Sequence, residues 1–161
     1  MNHINKGKPF PLGSSLTSKG VNFSLVATNA EYVEILLFES EDSVSPQTIF
    51  KLNHNNNTGP YWHAEINNLK EGCIYAFRVK QKNNGINNSY EKKVLLDPCS
   101  RGITGWESYV RENALESREN TNSSLKSVVC NRKLFNFKDF PRPKHSWDCL
   151  LYTSPSPRDG L

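Results

Sequence analysis

Residues 20–38 read G-V-N-F-S-L-V-A-T-N-A-E-Y-V-E-I-L-L-F, and this stretch constrains the fold more than any other. In its first half Val21, Phe23, Leu25 and Ala27 alternate with Asn22, Ser24, Val26 and Thr28. In its second half Val33, Ile35 and Leu37 alternate with Glu34, Leu36 and Phe38. A period of two sets one row of each run against a core and turns the other outward. Val, Ile and Phe suit such a pleated, half-buried surface. Thr28-Asn29-Ala30 is the turn between the runs, and Asn tolerates turn backbone angles. Large apolar residues on both faces at the end of the second run predict a central strand.

Similar runs follow along the chain. Thr48–Leu52 reads as a third strand, and Asn53–Pro60 as a loop by composition. Tyr61–Ile66 is a fourth strand, with Trp62, Ala64 and Ile66 on one face and Tyr61, His63 and Glu65 on the other. Trp62 could serve as a sugar platform or as a core anchor; the row it shares with Ala64 and Ile66 favours the anchor. His63 reads as a solvated strand residue. Gly72 suits a positive φ in the turn that follows. Ile74–Lys80 is a fifth strand, with Tyr75, Phe77 and Val79 on one face. Asn83–Ser89 reads as a polar loop, and Lys92–Leu96 as a sixth strand closed by Asp97-Pro98. Six short strands between Gly, Asn and Pro turns predict an all-β, immunoglobulin-like antiparallel β-sandwich over residues 20–98.

The flanks read differently. Residues 1–19 are an extended lead-in, because Pro9 and Pro11 exclude a helix. Phe10 and Leu12 in it are expected to dock on the sandwich edge or on a neighbouring domain. Residues 99–148 form an excursion and a C-terminal extended connector. A short helix is expected near Tyr109–Glu116, extended pieces at Ser127–Cys130 and Leu134–Phe137, and a stiff linker from Pro141 to Trp147.

Composition excludes several function classes. The apolar share of the 161 residues is 36%, enough for one modest core. The 20 basic and 16 acidic residues are scattered and leave a net charge of +4, which argues against a nucleic-acid partner. No apolar run is long enough to span a membrane, and the first residues lack the apolar segment of a secretion signal, so a cytoplasmic protein is expected. Cys73, Cys99, Cys130 and Cys149 have no metal-ligand spacing and read as reduced thiols. No phosphate-cradling glycine loop, metal motif or nucleophilic triad stands out, so no catalytic residue, metal or cofactor is expected. Asp97 and Asp139 are isolated in sequence and read as strand or turn terminators, not as a glycosidase pair. Exposed aromatics can stack on sugar rings, and Tyr61 and Trp106 are the candidates for that role.

Four segments gain meaning when taken as an ordered set: P-F-P-L-G-S-S, G-V-N-F-S-L-V-A-T-N-A-E-Y-V-E-I-L-L-F, Y-W-H-A-E-I-N-N-L-K-E-G-C-I-Y-A-F-R-V and K-V-L-L-D-P-C-S-R-G-I. Together they resemble the N-terminal module of isoamylase-type glycogen debranching enzymes, in glycoside hydrolase family 13 and carbohydrate-binding module family 48. The later V-V-C-N-R-K-L-F-N-F-K-D-F-P-R-P-K-H-S-W-D is similar to the connector that precedes that family's catalytic barrel. Cys99 departs from the pattern, since an aromatic usually follows the Asp-Pro pair. The resemblance implies a module that packs against a (β/α)8 barrel and helps to position branched α-glucan. It carries over no catalytic residue, because those lie on the barrel. The alternative is a free-standing glucan-binding or scaffold module.

Residues 149–161, C-L-L-Y-T-S-P-S-P-R-D-G-L, fall outside the resemblance. Residues 149–159 can be written in codons that resemble a sequencing-library transposase adapter read in frame. The expectation is therefore a longer gene interrupted near Asp148, with Cys149 and Tyr152 carrying no function.

Overall fold

The computed structural model describes residues 3–82, 92–116 and 118–131. The loop expected at 83–89, the pieces at 134–137 and 141–147, Asp139 and the tail lie outside the described residues. Two antiparallel sheets carry the structure. In the first, β1 (Ile4–Asn5), β7 (Tyr61–Asn67), β3 (Gly20–Val26) and β2 (Gly13–Leu16) lie in that order. A short β6 (Asn57–Thr58) also pairs with β7, opposite Trp62 and Tyr61. In the second, the order is β5 (Thr48–Leu52), β4 (Ala30–Phe38), β8 (Ile74–Gln81), β10 (Lys126–Val128) and β9 (Gly102–Thr104). One helix, α1 (Arg111–Leu115), lies within the span expected for it.

The core is the alternation made solid. Val21 and Phe23 of β3 and Trp62, Ala64 and Ile66 of β7 face Val33, Ile35 and Leu37 of β4 and Tyr75 and Phe77 of β8. Phe23 and Tyr75 meet edge to face with centroids 4.8 Å apart. Trp62 is 2% exposed and donates its Nε1 hydrogen to the Ala27 carbonyl at 3.0 Å, so it is the anchor and not a platform. A second, smaller core gathers Leu36, Phe38, Ala76 and Val94. That accounts for the double-sided end of β4: both faces are covered, and the strand sits between β5 and β8.

Four sequence expectations need correction. Residues 92–96 do not form a strand; Leu95 makes a single antiparallel bridge to Phe77. Next to it, the Asn120 side chain occupies both backbone groups of Val94, accepting at 2.8 Å and donating at 3.2 Å. The neighbouring place beside β8 goes to β10, which pairs with Ile74 and Tyr75. The expected loop at 53–60 contains the β6 pairing and a 3-10 turn at His54–Asn56 that Asn53 caps. The lead-in contributes β1 and β2 to the first sheet. His63 is not solvated but 1% exposed.

The burial of His63 has a plain cause. The outward row of β3 and β7 is polar, yet the lead-in lies across it. Asn22 accepts from the Lys8 amide at 2.7 Å and donates to the Lys8 carbonyl at 3.0 Å. Ser24 donates its hydroxyl to the Pro9 carbonyl at 2.7 Å. The polar row thus satisfies the backbone of a proline-bearing segment that cannot form a regular ladder.

Candidate functional site

Tyr61 opens β7, half-buried, on the outward face of the first sheet. The Phe10 ring lies over it, with centroids 4.8 Å apart and planes at 57°. Phe10 is the more open of the two, at 57% exposure. Tyr61 was selected by strand alternation, which indicates a face but not what covers it. Phe10 could have been weighed with it, since an aromatic between two prolines is held on a stiff backbone.

Trp106 follows β9 on the other sheet and is 64% exposed. Its backbone is held from behind. Gly105 takes φ of 90°, a conformation that glycine adopts without strain. The Glu41 carboxylate accepts from the Thr104 hydroxyl and, at 3.3 Å, from the Gly105 amide. Those two hydrogen bonds, in that order, hold the Glu41 carboxyl below its usual range. Lys126 is fully buried and donates its ammonium to the Glu41 carbonyl at 2.7 Å. Burial pushes the Lys126 amine down, while Asp42 and Glu41 act to keep it charged. The two candidate aromatics therefore stand on different sheets and form no single platform.

The buried polar residues serve the fold. The Tyr75 hydroxyl donates to Asp97 Oδ2 at 2.5 Å, and Asp97 Oδ1 accepts from the Cys99 amide at 2.8 Å. The Asp97 amide donates to the Ser127 hydroxyl at 3.0 Å. Asp97 thus closes a turn and ties it to β8 and β10. Burial raises both the Asp97 carboxyl and the Tyr75 phenol. Among the described residues, no group of three or more His, Cys, Asp or Glu side chains could hold a metal. Among the same residues, no helix is long and apolar enough to cross a membrane.

Residues 11–100 match the family described as carbohydrate-binding module 48, the isoamylase N-terminal domain. The chain belongs to this family. Over 155 residues it is 27% identical to a glycogen debranching enzyme of Pectobacterium atrosepticum, covering 92% of this chain and 23% of that protein. Over 105 residues it is 38% identical to one from Erwinia tasmaniensis, covering 63% of this chain and 15% of that protein. The family 48 chain thus spans less than a quarter of the length of these curated relatives. Among solved structures it resembles the multi-modular glycogen-degrading pneumococcal virulence factor SpuA, solved as a product complex. There the TM-score is 0.53 at 12% identity, over 78% of this chain and 12% of that one. It also resembles the GBS pullulanase SAP in complex with maltotetraose, with a TM-score of 0.52 at 19% identity over 75% and 14%. At these identities the structural likeness establishes the shared fold.

Proposed function

We propose that this chain is the N-terminal module of a debranching enzyme that hydrolyses α-1,6 branches in glycogen or amylopectin-type glucan. The observation that carries the reading is the family 48 match, together with debranching relatives that align over nine-tenths of the chain. In this reading the two sheets, from β1 to β10, are the glucan-associated sandwich, and the sequence that follows β10 leads to a (β/α)8 barrel. The module itself performs no cleavage. The buried Asp97 supports this, because a carboxyl closed off beneath Tyr75 cannot reach a polymer bond. Tyr61 and Trp106 are the proposed sugar contacts, and the rigid mounting of Trp106 supports its part.

The test combines an activity assay with a binding assay. The purified 161-residue chain is expected to release no reducing ends from glycogen or amylopectin. In affinity electrophoresis through glycogen it is expected to be weakly retarded. Reducing-end release by the chain alone overturns the division of labour. Strong retardation that Tyr61→Ala or Trp106→Ala abolishes points instead to a free-standing binding module.

A further inference from the structure

A groove of about 690 Å³ lies between two stretches of the lead-in, on the outer face of the first sheet. Residues from 5 to 11 form one wall and residues 15–19 the other, with Asn22 and Glu65 between them. We propose that this groove is an α-glucan subsite, with Phe10 as its stacking surface and Glu65 as its hydroxyl acceptor. The proposal rests on the glucan-binding reading above and gives it a location distinct from Trp106.

Three observations carry it. The first is the state of Phe10. An isolated exposed apolar residue needs no explanation, but this one is fixed in place. Prolines flank it, the Pro9 carbonyl is hydrogen-bonded to Ser24, and Lys8 is clasped on both sides by Asn22. Tyr61 backs the ring. An open ring on an immobilised backbone loses little freedom on binding, which is the main advantage of preorganisation.

The second is Glu65. Its Oε1 accepts from the Thr17 hydroxyl at 2.6 Å across the groove. Among the described residues its Oε2 makes no hydrogen bond. One carboxylate oxygen is therefore spent on holding the side chain still, and the other is left to accept from a ligand.

The third is the mixture of charges. Lys6, Lys8 and Lys19 line the same groove as Glu65. The groove thus offers hydrogen-bond donors in its ammonium groups and an acceptor in its carboxylate. A neutral polyol uses both, because each hydroxyl donates to one and accepts from the other. Its pyranose ring adds an apolar face for Phe10. Few convergent polar groups beside an aromatic wall are what small-ligand sites generally present.

The experiment is an amide NMR titration of the 161-residue chain with maltoheptaose, with glycogen electrophoresis beside it. Shifts are expected at residues 6–10, 15–19 and 65. Phe10→Ala and Glu65→Gln should each weaken retardation by about tenfold, the scale of one lost aromatic stacking contact or one lost charge-assisted hydrogen bond. Amide spectra of both variants check that the fold is retained. If glycogen still retards the chain but the shifts fall elsewhere and both variants bind normally, the groove is refuted while the glucan reading stands. If the folded chain binds neither maltoheptaose nor glycogen, both fall. Equal shifts with cellohexaose overturn the assignment to α-linked chains.

Discussion

Gly7→Ala offers a sharp test of the lead-in packing. A Cβ at Gly7 would meet the Asn22 Oδ1 atom, the Ala64 carbonyl carbon at 2.6 Å and the Glu65 nitrogen at 2.8 Å. The last two are backbone atoms in a paired strand and cannot step aside. The lead-in must lift. Lifting breaks both Lys8–Asn22 hydrogen bonds and the Ser24–Pro9 bond. At roughly 0.5–1.5 kcal/mol each, those three bonds sum to about 1.5–4.5 kcal/mol. Alanine also narrows the unfolded ensemble, which favours folding by about 0.4–1 kcal/mol. The loss wins, leaving a net destabilisation of about 0.5–4 kcal/mol. With a urea dependence of roughly 2 kcal/mol per molar, the midpoint should fall by about 0.3–2 M. A second readout is the His63 ring, which the lifted segment would uncover. Its proton affinity should rise towards the ordinary value in an NMR titration. An unchanged or higher midpoint with an unchanged His63 titration would show that the lead-in does not lie on β7 in solution.

The remaining predictions concern the core and the pH response. Trp62→Ala should cost about 3–5 kcal/mol, as large aromatic truncations do, whereas Trp62→Phe should lose about 1 kcal/mol with the Ala27 hydrogen bond; equal urea midpoints for all three proteins would put Trp62 outside the core. Burial, the largest influence on His63, holds its pKa below the ordinary value, so the unfolded chain takes up the proton first. The stabilisation is complete above the unfolded value, about 6.5, and declines as pH falls below it. His63→Gln should flatten the urea midpoint between about pH 5 and 6.5; a slope equal to that of the parent chain would assign the acid sensitivity to other groups. Asp97 acts with the opposite sign. Its raised folded pKa favours the folded state at acid pH, and that contribution fades as pH rises through the folded value.

The sandwich was legible because its inner rows repeat with period two. Val21 and Phe23, Val33 to Leu37, and Trp62 to Ile66 all lie where alternation put them. The outer rows were harder to read. Asn22, Ser24 and His63 look like solvent-facing residues, and the pattern is the same whether water or a peptide backbone meets them. Alternation is a property of one strand, whereas the lead-in that covers this row comes from elsewhere in the chain. The missing sixth strand has a similar origin: Val94 looks strand-like, but a side chain from Asn120 takes its backbone partners. Lys126 carries no signal of its burial in the local pattern: its ammonium donates to the Glu41 carbonyl at 2.7 Å and lies 5.1 Å from the Phe38 ring, both from distant parts of the chain. Tyr61 and Trp106 were found as aromatics, but their separation onto two sheets belongs to the topology.

The pairing of β10 with β8 bears on how the chain is made. Translation delivers Ile74 and Tyr75 long before Ser127 and Val128, and at roughly 5–20 residues per second their partner arrives some seconds later. Until then that part of β8 leaves the ribosome as an open edge, with unpaired backbone groups able to recruit a neighbouring nascent chain. The family match ends at residue 100, so β9 and β10 come from beyond the matched residues. Completion waits for the excursion, whose far end returns to close the sheet.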